Sequence, residues 1–354
     1  MADVQRLTER QKFLLIIIEQ REKGIGREKL TELMPPGFAA SRATIIRDLN
    51  TLLAQDLVHT SGSGPSTLYL PRTAGELLRY FDLPMYFGYE PDERTLTTQS
   101  NRDFLFDLGA YDLLFGEEKA QLNETNKQFQ ERLATREPDI LKRERERFTV
   151  ELAWKSSRIE GNTYSLLETE ELIKTAKGVP GHSPEEAQMI LNHKTALEMI
   201  TSHRKEYRKL NIKKVEKIHT VLVEGLGINS GIRNQPVGIT GTRYQPPENH
   251  DEIESALRTT LEIANGKNHP VEAAILASAL IAYLQPFSDG NKRTARLVGN
   301  AVLIAHDYAP LSYRSVDEIV YKEAVLLIDE QHSFYWYKKL FIEQFNFTCE
   351  KYFN

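Results

Sequence analysis

Apolar positions along the first seventy residues recur first with helical spacing and then with strand-like spacing. Between Thr8 and Lys23, the residues Phe13, Leu14, Ile17 and Ile18 fall on one face of a helix. Gly24 and Gly26 interrupt it, Arg27 to Leu33 predicts a short second helix, and Pro35, Pro36 and Gly37 force a turn. Ser41 is placed to cap a third helix, SRATIIRDLNTLLAQ, whose Ile45, Leu49 and Leu52 share a face. LVHTSGSGPSTLYL then predicts two short strands joined by a Gly/Ser loop. Residues 73–135 are less regular, with Pro84, Gly88, Pro91 and the polar run TLTTQSN, and predict a partly helical connector with no assigned chemistry. From 136 to 354 the pattern is long helices with short breaks, apart from one hairpin expected around residues 236–245. The fold class expected is mainly α.

Three helices followed by a hairpin describe a winged helix-turn-helix domain over residues 1–72. The run Ser41-Arg-Ala-Thr-Ile-Ile-Arg-Asp-Leu resembles the recognition-helix region of DeoR-like regulators, which would turn Arg42, Thr44 and Arg47 toward a DNA major groove. A protein-docking or dimerisation module is the competing reading. Residues 1–72 hold ten Lys/Arg against eight Asp/Glu, a net of +2 and a poor surface for neutralising phosphates.

Composition changes this picture little. With 354 residues, 40% hydrophobic and 27% charged, the chain reads as an ordinary soluble protein with room for two or three domains. Its net charge of −5 argues against a protein that is basic overall. Cys349 is the single cysteine, so no internal disulfide is possible and a reducing cytoplasm is the expected location. The opening MADVQRLTERQ lacks the apolar stretch of a secretion signal. The longest apolar run, Ala273 to Leu284, is too short for a bilayer and predicts a buried helix.

The chemistry concentrates in Leu284-Gln-Pro-Phe-Ser-Asp-Gly-Asn-Lys-Arg-Thr-Ala-Arg296. Pro286 disfavours helical geometry at Gln285, so the buried helix should end near Leu284. Gly290 permits a tight turn, and helical spacing resumes from Lys292 to His306. Such a turn aims free backbone N–H groups from a helix N-terminus toward an anion. Arg293 and Arg296, three apart on one helix face, suit successive phosphates. Asp289 beside them suits magnesium, which prefers carboxylate, water and phosphate oxygens.

This stretch resembles the Fic motif, His-Pro-Phe-x-Asp/Glu-Gly-Asn-Gly/Lys-Arg-x-x-Arg, at Pro286, Phe287, Asp289, Gly290, Asn291, Lys292, Arg293 and Arg296. The likeness runs over roughly residues 138–345. It implies an all-helical Fic fold over 136–354 that transfers AMP from ATP to a protein hydroxyl. Asp289 would hold Mg2+, and Gly290, Asn291, Lys292 and Arg293 would surround the α/β phosphates. Arg296 would reach the γ-phosphate, and Phe287 would be a core anchor. The departure is Gln285, which stands where the family has the histidine that accepts the hydroxyl proton. An amide cannot accept that proton, and losing a general base costs about 10²–10⁴ in rate. The chain also resembles a Fic subgroup that carries Leu-Gln-Pro-Phe here. His193, His219, His250 and His306 are conceivable substitutes that spacing does not separate.

Upstream, Trp154-Lys-Ser-Ser-Arg-Ile-Glu-Gly-Asn-Thr-Tyr-Ser165 ends a helix near Gly161, placing Glu160 at the wrong end of the helix dipole. Ser156, Glu160 and Gly161 resemble the inhibitory motif of self-restrained Fic proteins. That likeness implies a Glu160–Arg296 pair blocking the γ-phosphate site. Between the two motifs, Val237, Gly238, Ile239 and Thr240 belong to the expected hairpin, the position of the Fic flap that receives an extended target segment by strand addition. Three functions follow: an autoinhibited adenylyltransferase weakened by Gln285, a catalytically silent nucleotide-binding regulator acting through the winged helix, and AMP removal with Glu160 activating water. The sequence implies ATP, Mg2+ and a hydroxyl-bearing target, admits DNA at residues 1–72 and a homodimer, and gives no sign of a membrane.

Overall fold

The computed structural model describes residues 7–353 except 20, 22–23, 55–56, 63, 72–76 and 100. Its N-terminal part runs α1 (Glu9–Glu19), β1 (Ile25–Gly26), α2 (Arg27–Leu33), α3 (Arg42–Ala54), β2 (Val58–Ser61) and β3 (Leu68–Pro71). The strands form one antiparallel sheet in the order β1–β3–β2, with Ile25 opposite Tyr69 and Thr60 opposite Tyr69 on the other side. Leu14 and Ile18 of α1 and Ile45, Leu49 and Leu52 of α3 are buried together, as their spacing predicts. Ser41 Oγ accepts from Thr44 N at 3.3 Å. A buried carboxylate, Asp48, ties α3 to α1 through Arg10 Nε at 2.5 Å and Gln11 Nε2 at 3.1 Å. The expected end of the first helix near Lys23 and the junction at 72–73 lie outside the described residues.

The following stretch contains α4 (Leu83–Phe87), α5 (Asn101–Ala110) and α6 (Gly116–Thr135). It is laid along the C-terminal helices by polar contacts far apart in sequence. Trp336 Nε1 donates to Phe81 O at 2.7 Å, Phe334 N to Leu77 O at 2.6 Å, and Leu113 N to the buried Glu272 at 2.6 Å.

The rest comprises α7 (Pro138–Ile159), α8 (Leu166–Thr175), α9 (Pro184–Ser202), α10 (Ile212–Val223), α11 (His250–Gly266), α12 (Pro270–Leu284), α13 (Asn291–Ala305), α14 (Glu318–Gln331) and α15 (Tyr335–Lys351). The protein is mainly α-helical, with the small sheet confined to its N-terminal part. From Val271 to Leu284 every residue of α12 is buried, so this mostly apolar helix is covered all round and forms the centre of the core. Its neighbour α13 comes close because Gly299 has no side chain: a Cβ there would lie 3.2 Å from Ser278 Cβ and 3.5 Å from Ala274 O. No helix among the described residues is long and apolar enough to cross a membrane.

One expected element is different. Residues 236–245 contain no paired strand and run as an extended loop with a turn at Thr240–Gly241. Pro236, Pro246 and Pro247 lack the N–H groups a ladder needs. The returning limb is drawn away instead, with Tyr244 stacked on Tyr283 at 4.7 Å and Arg243 Nη2 donating to Arg94 O at 2.6 Å.

The functional turn joins α12 to α13, so their spacing sets its shape. Gly299→Val should wedge the pair apart and lower stability by about 1–3 kcal/mol, the usual range for overpacking. Urea unfolding reads the change, and parental stability would show that this contact yields without strain.

Candidate functional site

α12 ends as its sequence requires. Gln285 closes it in the left-handed region at φ 47°, with its N–H donating to Ile281 O at 3.1 Å. Its side-chain Nε2 folds back onto Ala282 O at 2.5 Å. The residue that replaces the expected base is thus a helix C-cap. Gly290, at φ 77°, opens α13, and a Cβ there would press on Val223 Cγ1 at 3.2 Å. No side chain caps the N-terminus of α13.

Asn291 holds the turn with its side chain. Its Nδ2 donates to Phe287 O and its Oδ1 accepts from Phe287 N, both at 2.8 Å. The buried amide staples the turn, leaving only the Asn291 backbone for a ligand. Phe287 is fully buried, as expected of an anchor, and its ring stacks on His219 at 3.8 Å.

Arg293 and Arg296 are both buried. Arg296 Nε donates to Ser156 Oγ at 2.9 Å, and its Nη2 reaches Ser156 O and Glu160 Oε1, both at 2.8 Å. The structure therefore brings together Ser156, Glu160 and Arg296, which lie 136 to 140 positions apart. Glu160 caps α7, and the chain leaves through Gly161 at φ 97°. Burial by itself would raise the Glu160 carboxyl. The charges of Arg296, Lys292 and Arg293 and the hydrogen bond from Arg296 outweigh it and hold the carboxyl below its ordinary range. Arg296 is raised in turn: burial opposes its charge, but Glu160 beside it prevails.

Two groups remain unanswered. Arg293 Nη1 and Arg296 Nη1 are buried with no hydrogen-bond partner. Orphaned guanidinium nitrogens at an uncapped helix N-terminus fit an anion such as a polyphosphate. Asp289 is exposed, as is Ser288 before it, with a side chain 68% accessible. Its Oδ1 accepts from Gly290 N at 2.6 Å and its Oδ2 lies 3.5 Å from Arg293 Nη2. No group of three or more His, Cys, Asp or Glu side chains among the described residues forms a metal cage. One accessible carboxylate beside a phosphate site does fit Mg2+, which keeps waters and substrate oxygens as its other ligands.

The alternative bases do not fill the gap. His193 Nδ1 lies 2.9 Å from Met189 O and its Nε2 lies 2.8 Å from Ser156 Oγ, so both nitrogens are engaged. His219 Nε2 donates to Asp289 O at 3.0 Å, and its other nitrogen is enclosed by protein. Burial pushes the two rings down to about 3 and about 4, so both are neutral at pH 7. His250 starts α11, and His306 caps the far end of α13. A cleft of about 1490 Å3 is lined by residues such as Phe129, Arg147 and Lys194 on α6 to α9 and by Ile304 of α13, and no motif residue lines it.

Missed by sequence reasoning were Arg233 and Arg94. Arg233 grips the carbonyl of Gln285 at 2.7 Å, and Arg94 reaches the turn at Gly241. An arginine whose partners are distant carbonyls leaves no local pattern.

Residues 209–303 match the Fic/DOC family. A protein adenylyltransferase Fic of Nematostella vectensis is 31% identical over 174 residues, covering 48% of this chain and 40% of that protein. Its namesake in Aedes aegypti is 32% identical over 180 residues, covering 48% and 35%. The chain thus spans well under half the length of these relatives. A Fic-domain signalling protein of Bacteroides thetaiotaomicron has the same fold at TM-score 0.52 and 24% identity, covering 65% of this chain and 92% of that one. Fic-1 of C. elegans superposes at TM-score 0.57 and 18% identity, covering 71% and 80%. Residues 209–303 thus carry the Fic/DOC likeness, and the match to these relatives covers about half of this chain.

The Glu160–Arg296 pair carries a pH signature. A carboxyl held low in the folded state contributes stability above its ordinary titration range, and the contribution is lost as pH falls through the folded value. Glu160→Gln should therefore destabilise the protein by about 2–3 kcal/mol at pH 7, the worth of a charged hydrogen bond. The gap to the parent should close as the pH falls below about 4. A gap constant down to pH 3 in thermal unfolding would refute a charged pair.

Proposed function

We propose that the protein is a Fic-type adenylyltransferase scaffold that binds ATP, is restrained by Glu160, and is weakened in transfer because Gln285 replaces the proton acceptor. The carrying observation is the Arg296 guanidinium, held by Glu160 at 2.8 Å with one nitrogen still unpaired. Glu160 takes the place that an outer phosphate of ATP would take. Arg293 and the first N–H groups of α13 would hold the inner phosphates, and Mg2+ on Asp289 would neutralise charge as pyrophosphate leaves. A target hydroxyl forms the new bond to the α-phosphorus and loses its proton. His193 engages both ring nitrogens and His219 Nδ1 is enclosed by protein, so neither stands open to that proton, and the Gln285 amide is turned onto Ala282. Water, or the target itself, must take it, which makes the reaction slow.

Glu160→Gly should free Arg296 and raise ATP affinity, while AMP affinity changes little because AMP has no γ-phosphate. Calorimetry showing equal gains for both would remove the proposed pairing with that phosphate. Gln285→His alone should gain little, and Glu160→Gly alone should bind ATP but transfer slowly. The double variant should label a protein with AMP more than additively, because each change removes a different obstacle. Robust labelling by the parent would show that Gln285 is no handicap. A silent double variant that binds Mg-ATP would place the defect elsewhere.

A second reading is favoured by that inward-turned amide: a nucleotide-responsive regulator whose output is the N-terminal unit. The helix order and the β1–β3–β2 sheet support a winged helix, with Arg42 and Arg47 exposed on α3 and Thr44 half-buried between them. Its small net charge makes any DNA binding modest and salt-sensitive. The full chain should retard a genomic fragment pool at low salt, and Arg42→Ala with Arg47→Ala should abolish the shift. No retardation at low salt points to protein docking instead.

A further inference from the structure

The loop that replaces the expected hairpin has an unusual distribution of main-chain bonds. Among the described residues, no hydrogen bond involves the backbone of residues 236–240. The stretch is extended, and Pro236, Gly238 and Thr240 are exposed. Five consecutive residues therefore offer free carbonyls, and four of them offer free N–H groups, an edge open to another strand.

Such a segment collapses or wanders unless something holds it, and two buried arginines bracket it. At its start, Arg233 is 4% exposed and meets four carbonyls: its Nη1 donates to Gln235 O at 2.7 Å, Nη2 to Pro247 O at 2.5 Å, Nε to Gln285 O at 2.7 Å, and its backbone N to Pro286 O at 3.0 Å. This one residue joins both ends of the loop to the turn that ends α12. No carboxylate lies within ion-pair distance of it among the described residues; burial lowers its pKa, while the charge of the more distant Glu248 acts the other way. A buried cation hydrogen-bonded only to neutral carbonyls is costly.

At the far turn stands Arg94, 6% exposed, from the stretch between α4 and α5. Its Nη2 donates to Gly241 O, the first carbonyl beyond the free stretch. Its Nε and Nη2 also grip the fully buried Glu330 at 3.0 and 2.9 Å, and Tyr86 Oη donates to the same carboxylate at 2.7 Å. Glu330 fixes the guanidinium to the end of α14, so Gly241 hangs from a rigid support.

We propose that Arg233 and Arg94 are positioning residues that hold residues 236–240 extended, as a preformed main-chain edge for the acceptor segment of a target protein. Arg94 places part of that support outside the family-matched residues, in the stretch leading to the N-terminal unit. The proposal rests on the transfer reading above for its acceptor, but the anchoring itself does not.

Anchoring is read physically. Cys349 is buried, so T240C takes a nitroxide at one exposed site of the full chain. The label should move slowly in the parent. R94Q should give a fast-moving spectrum, R94K a partial return of restraint, and both should bind Mg-ATP like the parent. R233K should also mobilise the label and should in addition weaken Mg-ATP binding, because it releases the turn at Gln285. Circular dichroism confirms folding. An unchanged spectrum in folded R94Q and R233K overturns the proposal.

The docking role is read in the E160G/Q285H background with labelled ATP and a pool of twelve-residue peptides bearing a central serine. R94Q should raise the peptide KM about tenfold and leave kcat and the ATP KM unchanged, since misplacing a docking edge costs orientation and not chemistry. A mobile label with an unaltered peptide KM overturns the docking role. If the background itself labels no peptide, the transfer reading fails, and the spectrum alone decides whether the two arginines anchor the loop.

Discussion

A buried positive charge at Arg296 governs how the two ends of this site are built. Taking a guanidinium out of water costs several kcal/mol unless it is paired and hydrogen-bonded. Here the compensation comes from Ser156 and Glu160, which forces the C-terminal turn of α7 against α13. A carboxylate at a helix C-terminus is unfavourable within its own helix. It becomes favourable because Lys292, Arg293 and Arg296 face it. The guanidinium is therefore already paired, and under the proposed reading an incoming phosphate would compete with Glu160 for it.

Gln285 shows a related economy. In the left-handed region, a non-glycine residue is strained by about 1–2 kcal/mol. The strain is offset locally: the side chain returns to Ala282 O, the backbone N–H closes α12, and the carbonyl accepts from Arg233. Glutamine reaches its own helix end with an amide donor, a structural task that a proton-accepting ring at this position would perform differently. Restoring a histidine therefore changes a cap as well as a base.

Legibility followed the range of the interactions. The end of α12 and the start of α13 were readable because Pro286 and Gly290 act on their immediate neighbours. The helices of the N-terminal part were readable from periodicity, since Ile45, Leu49 and Leu52 needed only a common face. The Glu160–Arg296 pair was suggested by a family resemblance and not by spacing, because 136 positions separate the partners. The Asn291 side chain holds Phe287, a contact that the motif alone does not announce. The hairpin failed for a positional reason: alternation near Val237 and Ile239 was real, but prolines at 236, 246 and 247 removed the ladder. Arg94 was invisible, because its meaning lies in Gly241 and Glu330, 147 and 236 positions away.

That distance bears on how such a protein chooses a target. Main-chain pairing along residues 236–240 would recognise any extended segment, because backbone groups are the same in every sequence. Discrimination must then arise from where the edge is held and from what surrounds it. Arg233 ties the edge to the turn that carries Gln285, so under the proposed reading an acceptor on that edge would be placed relative to the α-phosphate. Arg94 ties its other end to Glu330 and to the polypeptide leading from the N-terminal unit. At Arg94 one nitrogen serves both the Gly241 carbonyl and the Glu330 carboxylate, so the loop end and the end of α14 share one guanidinium.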